Sequence, residues 1–140
     1  MLGLNASRHA KNLRSAPSQE KREEQRGFVS EIEQQNKAAV QAGFDNWKAG
    51  KDSIYDLLAP DVEWTIAGAS PAAGTYHSRK QFLDKVIGPF NARVSKPLSP
   101  TIPGMYAEGD MVVVHWEGVA TAKDGRPYEN TYAWFLQIAN

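Results

Sequence analysis

The sequence predicts an α+β domain in which helices cover one face of a curved antiparallel sheet. Two observations support this prediction. Helix-capping signals and apolar residues at helical spacing dominate the chain as far as residue 88, whereas residues 111–138 contain two long apolar and aromatic runs around Asp124-Gly125. The order helix, helix, strand, helix and then a meander of strands is typical of α+β folds.

Length and composition exclude several classes of function. A chain of 140 residues fits one domain, and the absence of cysteine excludes thiolate chemistry and disulfides. Sixteen basic residues balance sixteen acidic ones, which argues against nucleic acid as a partner because phosphate binding needs a basic surface. No apolar run approaches the roughly 18 residues that span a bilayer, and no secretory signal is recognised. We therefore expect a cytoplasmic protein with no membrane partner.

The start of the chain differs from the rest. Residues 1–19 contain basic residues but no acid, and a run of mixed charge follows them. We expect residues 1–28 to form a disordered or accessory tail, with an organelle transit peptide as the alternative. The domain is then predicted to occupy residues 29–140.

Two helices are predicted before the first strand. Ser30 and Glu33 match a capping box, so the first helix should begin there and end at Gly50. Its apolar residues keep helical spacing and predict one buried face. Ser53, with Asp52 before it, can cap a short second helix that ends at Pro60.

The middle of the chain alternates between strand, loop and helix signals. Residues 62–66 alternate as a strand, and residues 68–74 form a Gly- and Pro-rich loop. A third helix should begin at the capping box of Ser78 and Gln81 and end before Gly88. Residues 98–106 contain two prolines, which confine them to an edge strand or an irregular run.

The Asp-Gly pair predicts a hairpin with a two-residue type I′ loop. With this loop, Lys123 faces Arg126 and the register of the two strands is fixed. Counting outward from the loop gives three facing pairs on a mixed polar and aromatic face, which are Val119 with Asn130, Glu117 with Tyr132, and His115 with Trp134. The opposite face carries Val114, Trp116, Ala133 and Phe135.

The polar face would become a pocket wall if helices covered it. Glu117 opposite Tyr132 would place a carboxylate beside a phenol, and histidine is the usual acid–base residue near neutral pH, so Glu117, Tyr132 and His115 are candidate catalytic groups for acid–base chemistry. The alternative is that His115 and Glu117 only bind each other or face solvent. As two ligands they make no complete metal site, and we expect neither a metal nor a cofactor.

Aromatic residues from separate elements predict a flat, apolar ligand. The candidate ligand-binding residues are Trp47, Trp64, Tyr76 and Trp134, with Asn130 and Tyr132 orienting polar groups. Core packing explains the same aromatic residues about as well. The apolar face of the hairpin, with Val114, Trp116 and Phe135, would form an exposed patch that favours a homodimer.

The chain resembles the nuclear transport factor 2-like superfamily, specifically its SnoaL-like polyketide cyclase and ketosteroid isomerase relatives. Four segments carry the resemblance, which extends from about residue 31 to the end, and they are residues 46–50, 58–64, 74–76 and 125–134. The resemblance implies a cone-shaped, cystatin-like roll with an apolar cavity, commonly in a dimer. It also implies isomerase, cyclase, dehydratase or epoxide hydrolase activity, or no enzymatic activity.

Two departures from the family pattern affect the expectations. The ketosteroid isomerase base would fall at Trp64 or Thr65, its tyrosine near Gly43, and its protonated aspartate at Tyr132, so only one donor of the three survives. Members also continue into one more strand after residue 138. We therefore expect a domain truncated at its C-terminus, with an exposed strand edge.

Three function hypotheses follow from these patterns. The first is a SnoaL-like domain that binds a small apolar molecule and lacks the steroid-isomerase triad. The second is an acid–base enzyme that uses Glu117 or His115. The third is a protein-interaction module that uses the outer face of the sheet.

Overall fold

The computed structural model describes residues 15–139, with Val29 described for its backbone alone. Three helical regions precede a sheet of three long strands, which confirms the predicted α+β class. The elements in chain order are helix α1 (Gln19–Lys48), a 3₁₀ helix (Ile54–Leu57), strands β1 (Trp64–Ile66) and β2 (Gly74–Tyr76), helix α2 (Arg79–Phe82), a π-helical turn (Leu83–Ile87), helix α3 (Gly88–Asn91), and strands β3 (Val94–Glu108), β4 (Met111–Ala122) and β5 (Pro127–Gln137).

The strands form two antiparallel sheets. β1 pairs with β2, while the larger sheet has the order β3-β4-β5. β3 lies at an edge and its register shifts three times, including once between Thr101 and Gly104. This agrees with the prediction from Pro100 and Pro103, because proline cannot donate a ladder hydrogen bond.

The N-cap of helix α1 lies twelve residues before the predicted cap at Ser30. Ser18 is the observed N-cap, and its hydroxyl accepts a hydrogen bond from the Lys21 amide at 3.4 Å. The residues that follow Ser18 are mostly Glu, Lys, Arg and Gln, which favour helix even where nothing packs on them. Residues 19–28, predicted as part of the tail, are therefore helical and exposed, and residues 1–14 lie outside the described part.

The two other predicted helix starts are confirmed. The Ser53 hydroxyl accepts from the Tyr55 amide, and the Asp56 carboxylate accepts from the Ser53 amide, both at 3.2 Å. The Ser78 hydroxyl accepts from the Gln81 amide at 3.0 Å. These caps form where expected because the signal lies within four residues of sequence. Across residues 15–139, no helix is long and apolar enough to cross a lipid bilayer.

The predicted two-residue hairpin loop is wrong, because the loop contains three residues. The Ala122 amide donates to the Arg126 carbonyl, and the Gly125 amide donates to the Ala122 carbonyl, each at 2.9 Å. Gly125 has φ of +86°. A β-turn that ends in a left-handed glycine forms the common three-residue hairpin loop, in which Asp-Gly occupies the last two positions.

The longer loop offsets β5 against β4 by one residue. Trp116 lies opposite Tyr132, Val114 opposite Trp134, and Glu117 opposite Thr131. In β5, the residues predicted to face inward do so. In β4, the residues that face inward are those predicted to face outward. Val114 and Trp116 are therefore buried, and His115 and Glu117 are exposed on the outer face.

The core lies between α1 and the inner face of the larger sheet. Its most buried side chains are Phe44 from α1 with Val112, Val114 and Trp116 from β4, each 1% exposed or less. The predicted outer patch therefore loses Val114 and Trp116, which belong to this core, and retains Phe135, which is 57% exposed.

Candidate functional site: an aromatic cavity

A cavity of about 870 Å³ opens beside the core, between the two sheets and the helical segment Arg79–Asn91. Its lining combines β1, the loop before β2, the helical segment, and the inner faces of β4 and β5. Aromatic residues are prominent in the lining, and they are Tyr55, Trp64, Tyr76, Phe82, Phe90, Trp116, Tyr128, Tyr132, Trp134 and, from the outer face of β5, Phe135.

Ring contacts hold the deep part of the wall in place. Trp64 stacks on Phe82, with ring centres 4.9 Å apart and planes 27° apart. Trp134 stands nearly perpendicular to both Trp64 and Trp116, with its ring centre 5.0 Å from each. Stacked and edge-to-face contacts of this kind restrict the rings, so the wall is largely formed before any ligand binds.

Gly118 makes room for the stack between Trp116 and Tyr132. The two rings are 4.2 Å apart and 17° from parallel. A Cβ atom at Gly118 would lie 2.9 Å from the Trp116 ring, 3.2 Å from the Tyr132 ring and 2.8 Å from Leu98 Cδ1. A glycine is therefore required here for close packing of the side chains around it.

Two phenols and an amide form the polar part of the wall. The hydroxyls of Tyr128 and Tyr132 are hydrogen-bonded at 2.7 Å, and Asn130 Nδ2 donates to the Tyr128 hydroxyl at 3.3 Å. All three residues lie on β5 at alternate positions, so their side chains share one face. Burial, and then the hydrogen bond with Tyr128, raise the pKa of Tyr132 above its ordinary value of 10.0. Tyr132 therefore stays protonated, and able to donate a hydrogen bond, to a higher pH than an exposed tyrosine does.

Charged side chains lie at the rim. Glu63 contacts His77 Nδ1 at 3.3 Å, and both side chains are about 70% exposed. Lys85 and Arg93 also line the cavity and are exposed. The lining thus changes from aromatic in its depth to charged at its edge.

Pro89 explains why the helical segment widens beside the cavity. Proline has no N–H to donate to the carbonyl four residues earlier, and its ring crowds that carbonyl. The preceding turn is π-helical, and the Gly88 amide bonds to the Leu83 carbonyl five residues back. Three residues of this widened segment, Lys85, Val86 and Ile87, line the cavity.

Five of the six predicted ligand-binding residues line the cavity, and these are Trp64, Tyr76, Asn130, Tyr132 and Trp134. Trp47 does not line it. Its ring packs 5.8 Å from Tyr55 and 5.5 Å from Trp116, in the layer behind the wall.

His115 and Glu117 do not meet Tyr132 in the cavity. Both are exposed on the outer face, and the predicted pairing of Glu117 with Tyr132 is wrong because of the register offset. Within residues 15–139, no cluster of three or more metal-ligating side chains occurs.

Several lining residues were missed by the sequence reasoning. Tyr128 could have been found, since it lies two residues before Asn130 and therefore shares its face. Trp116 was assigned to the wrong face by the hairpin count. Phe90, Lys85 and Arg93 carry no local signal, because only the packing of the helical segment against the sheet brings them to the cavity.

Comparison with solved structures shows the same fold in other proteins. An NTF2-like protein of unknown function from Burkholderia pseudomallei K96243 is similar at 22% identity and a TM-score of 0.62, over 75% of this chain and 82% of that one. TerC, co-crystallised with polyporic acid, is similar at 17% identity and a TM-score of 0.60 over the same shares.

A third structure carries a different ligand. A protein with a ketosteroid isomerase-like fold from Catenulispora acidiphila DSM 44928, in complex with trimethylamine, is similar at 17% identity and a TM-score of 0.55, over 71% of this chain and 75% of that one. No curated protein is similar to the chain.

The family comparison covers the cavity and most of the core. The model of the SnoaL-like domain matches residues 40–140, which include every strand of both sheets. The resemblance inferred from the sequence is confirmed: the fold is similar to that of NTF2-like proteins, and the chain belongs to the SnoaL-like domain family.

Proposed function

We propose that the protein binds a flat, largely apolar small molecule with an oxygen atom that accepts hydrogen bonds. The aromatic wall would enclose the ring system, and the hydroxyls of Tyr128 and Tyr132 would hold the oxygen. The observation on which this proposal rests is the phenol pair within a cavity whose wall is largely aromatic and aliphatic. In the pair one hydroxyl donates to the other, which leaves the second proton free for a ligand.

The size and lining of the cavity support this proposal. Its volume of about 870 Å³ falls in the range of small-molecule sites, roughly 300–1,000 Å³, which are mostly apolar with few polar groups. Two proteins of similar fold hold small molecules, polyporic acid in one and trimethylamine in the other.

The test is a titration with a hydroxyanthraquinone, followed by quenching of tryptophan fluorescence and by calorimetry. Tyr132→Phe removes one hydroxyl and keeps the ring, so affinity should fall about threefold to tenfold, the worth of one hydrogen bond. Thr131→Val is the matched control, because Thr131 is the next residue and faces outward. No saturable binding by the unsubstituted protein would refute the proposal.

A second candidate function is acid–base catalysis on a carbonyl compound, with Glu63 as the base. Glu63 is the acidic residue among the described lining residues, and His77 lies 3.3 Å from it. A carboxylate can take a proton from the carbon beside a carbonyl whose oxygen is held by Tyr132. Exchange of that proton for deuterium, followed by NMR, should require Glu63 and should persist in Glu117→Gln. If exchange were lost in Glu117→Gln instead, the base would be Glu117 on the outer face and the assignment to Glu63 would fail.

We also propose that the outer face of the larger sheet forms a homodimer. Tyr106, Val113 and Phe135 lie in one row across the three strands, and the two aromatic residues are 64% and 57% exposed. Contiguous exposed apolar rows of this kind mark interaction sites. Light scattering should report a dimer that Phe135→Asp converts to a monomer, while Thr131→Asp has a smaller effect.

A further inference from the structure

We propose that the molecule bound in the cavity is an anion, namely an aromatic acid whose ionised oxygen is bound by Arg93, with Lys85 adding a second positive charge. This rests on the proposed binding function and deepens it, because it specifies the charge of the ligand. The ionised group can be a carboxylate or an acidic phenol or enol, which share the same recognition chemistry.

Arg93 lines the cavity and follows the part of the chain that contacts the phenol pair. Its carbonyl accepts a hydrogen bond from the Lys123 amide at 2.9 Å, which ties it to the loop between β4 and β5. Phe90, one helical turn earlier, packs edge-on against Tyr128 with ring centres 5.1 Å apart. Arg93 and Tyr128 therefore approach the same part of the lining from neighbouring elements.

Lys85 reaches the cavity from the π-helical turn. Widening of the helix at Pro89 brings residues 85–87 to the lining. A π-helical turn inside an α-helix is rare and is frequently found at functional sites. Lys85 thus comes from the middle of the helical segment and Arg93 from the turn that follows it, and both border the same cavity.

Neither cation is neutralised by the described part of the chain. Neither Lys85 nor Arg93 forms a salt bridge with a carboxylate of residues 15–139. The nearby acids are engaged elsewhere, since Asp84 pairs with Lys80 and Asp124 pairs with Arg126. The one lining carboxylate in the described chain, Glu63, is beside His77.

This arrangement favours a negative ligand over a neutral or positive one. Guanidinium groups bind carboxylates through two parallel hydrogen bonds, and phenol hydroxyls bind ionised oxygens more strongly than neutral ones. The apolar wall lowers the local dielectric constant, which strengthens these interactions relative to water. A cationic ligand would meet two like charges at the rim.

The test compares three probes that share one ring system and differ in charge. Naphthoate is the anion, naphthalenemethanol the neutral analogue and naphthylmethylammonium the cation. Calorimetry near neutral pH should rank affinity in that order, with naphthoate about fivefold tighter than the alcohol, as expected for a partly exposed ion pair. The preference should shrink at high salt.

Substitutions assign the preference to particular residues. Arg93→Gln and Lys85→Gln should each reduce naphthoate affinity by a larger factor than alcohol affinity, and the double variant should abolish the preference. Lys51→Gln is the control, because Lys51 is exposed and lies outside the lining.

The outcomes distinguish failure of this inference from failure of the proposed binding function. Equal binding of acid and alcohol, or tighter binding of the ammonium, would overturn the inference and leave the binding function intact. Absence of binding by all three probes would count against both. A preference for the acid that survives in the double variant would overturn the assignment to Arg93 and Lys85.

Discussion

Trp116 and Tyr132 lie directly opposite each other on neighbouring strands, and their rings stack 4.2 Å apart on the inner face. Trp116 is 1% exposed and belongs to the core, whereas Tyr132 is half-buried and bonds to Tyr128 in the cavity. The pair therefore joins the hydrophobic core to the polar part of the candidate site. A substitution of either ring should therefore change both the free energy of unfolding and the affinity for a ligand.

Trp116→Ala should lower the free energy of unfolding by about 3–5 kcal/mol, because it empties a buried site of the size of an indole. His115→Ala, one residue away, should change it by no more than about 0.5 kcal/mol, because His115 is exposed on the outer face. Urea unfolding of both variants checks this prediction. The reverse ranking would contradict the observed register of β4.

Stability should fall in alkaline solution because of the buried tyrosines. Burial is the largest cause that raises the pKa of both Tyr132 and Tyr55 above the ordinary value of 10.0. The folded protein keeps these phenols protonated while the unfolded chain ionises them, so stability present below about pH 10 is lost as the pH rises further.

Measurement of the free energy of unfolding between roughly pH 8 and 11 tests this sign. The loss should be less steep in Tyr132→Phe than in the unsubstituted protein, because one shifted group is then missing. Identical slopes in the two proteins would show that Tyr132 does not contribute.

Gly118→Ala should destabilise the protein by about 1–3 kcal/mol through overpacking, because the added methyl group would meet the rings of Trp116 and Tyr132. Gly27→Ala is the matched control. Gly27 lies in the exposed start of α1 with nothing near its Cβ position, so alanine there should stabilise by about 0.5–1 kcal/mol. Thermal unfolding should shift in opposite directions for the two variants.

Pro89→Ala should weaken binding of naphthoate without lowering stability. Alanine restores an N–H that can bond to the Lys85 carbonyl, so the π-helical turn can become regular α-helix. A change from an i,i+5 to an i,i+4 hydrogen-bond pattern shifts the helix by one residue, which rotates the preceding side chains by about 100° relative to those that follow. Lys85 would then leave the rim. Pro97→Ala, at an exposed position outside the lining, should bind naphthoate normally, and unaltered binding by Pro89→Ala would contradict the role of the turn.

Local signals in the sequence predicted much of the fold. The caps at Ser53 and Ser78 depend on residues within one turn, so they could be recognised directly. The start of α1 could not be recognised in this way. The capping-box pattern at Ser30 and Glu33 lies inside a run of helix-forming residues that extends back to Ser18. Strand β2 was missed because its residues Gly74–Tyr76 directly follow the Gly- and Pro-rich loop and lack the longer alternation of residues 62–66 that revealed β1.

The residues of the candidate site could be predicted where alternation along one strand places them. They could not be predicted where their placement depends on the register between two strands. The alternation of Asn130, Tyr132 and Trp134 along β5 places them on one face whatever the partner strand does. Trp116, Glu117 and His115 could be placed only by the length of the hairpin loop, and an Asp-Gly pair is compatible with loops of two or three residues.

The three-residue loop at residues 123–125 also couples the cavity wall to the rest of the fold, so that a change in loop length cannot alter the wall alone. If one loop residue were deleted, either β4 would turn its valines and Trp116 towards water, or β5 would turn Tyr132 and Trp134 outward. The first outcome removes the core and the second removes the cavity together with the packing around it. Genetic changes that shorten this connection should therefore be recovered as insoluble or degraded protein rather than as a folded protein with an altered pocket.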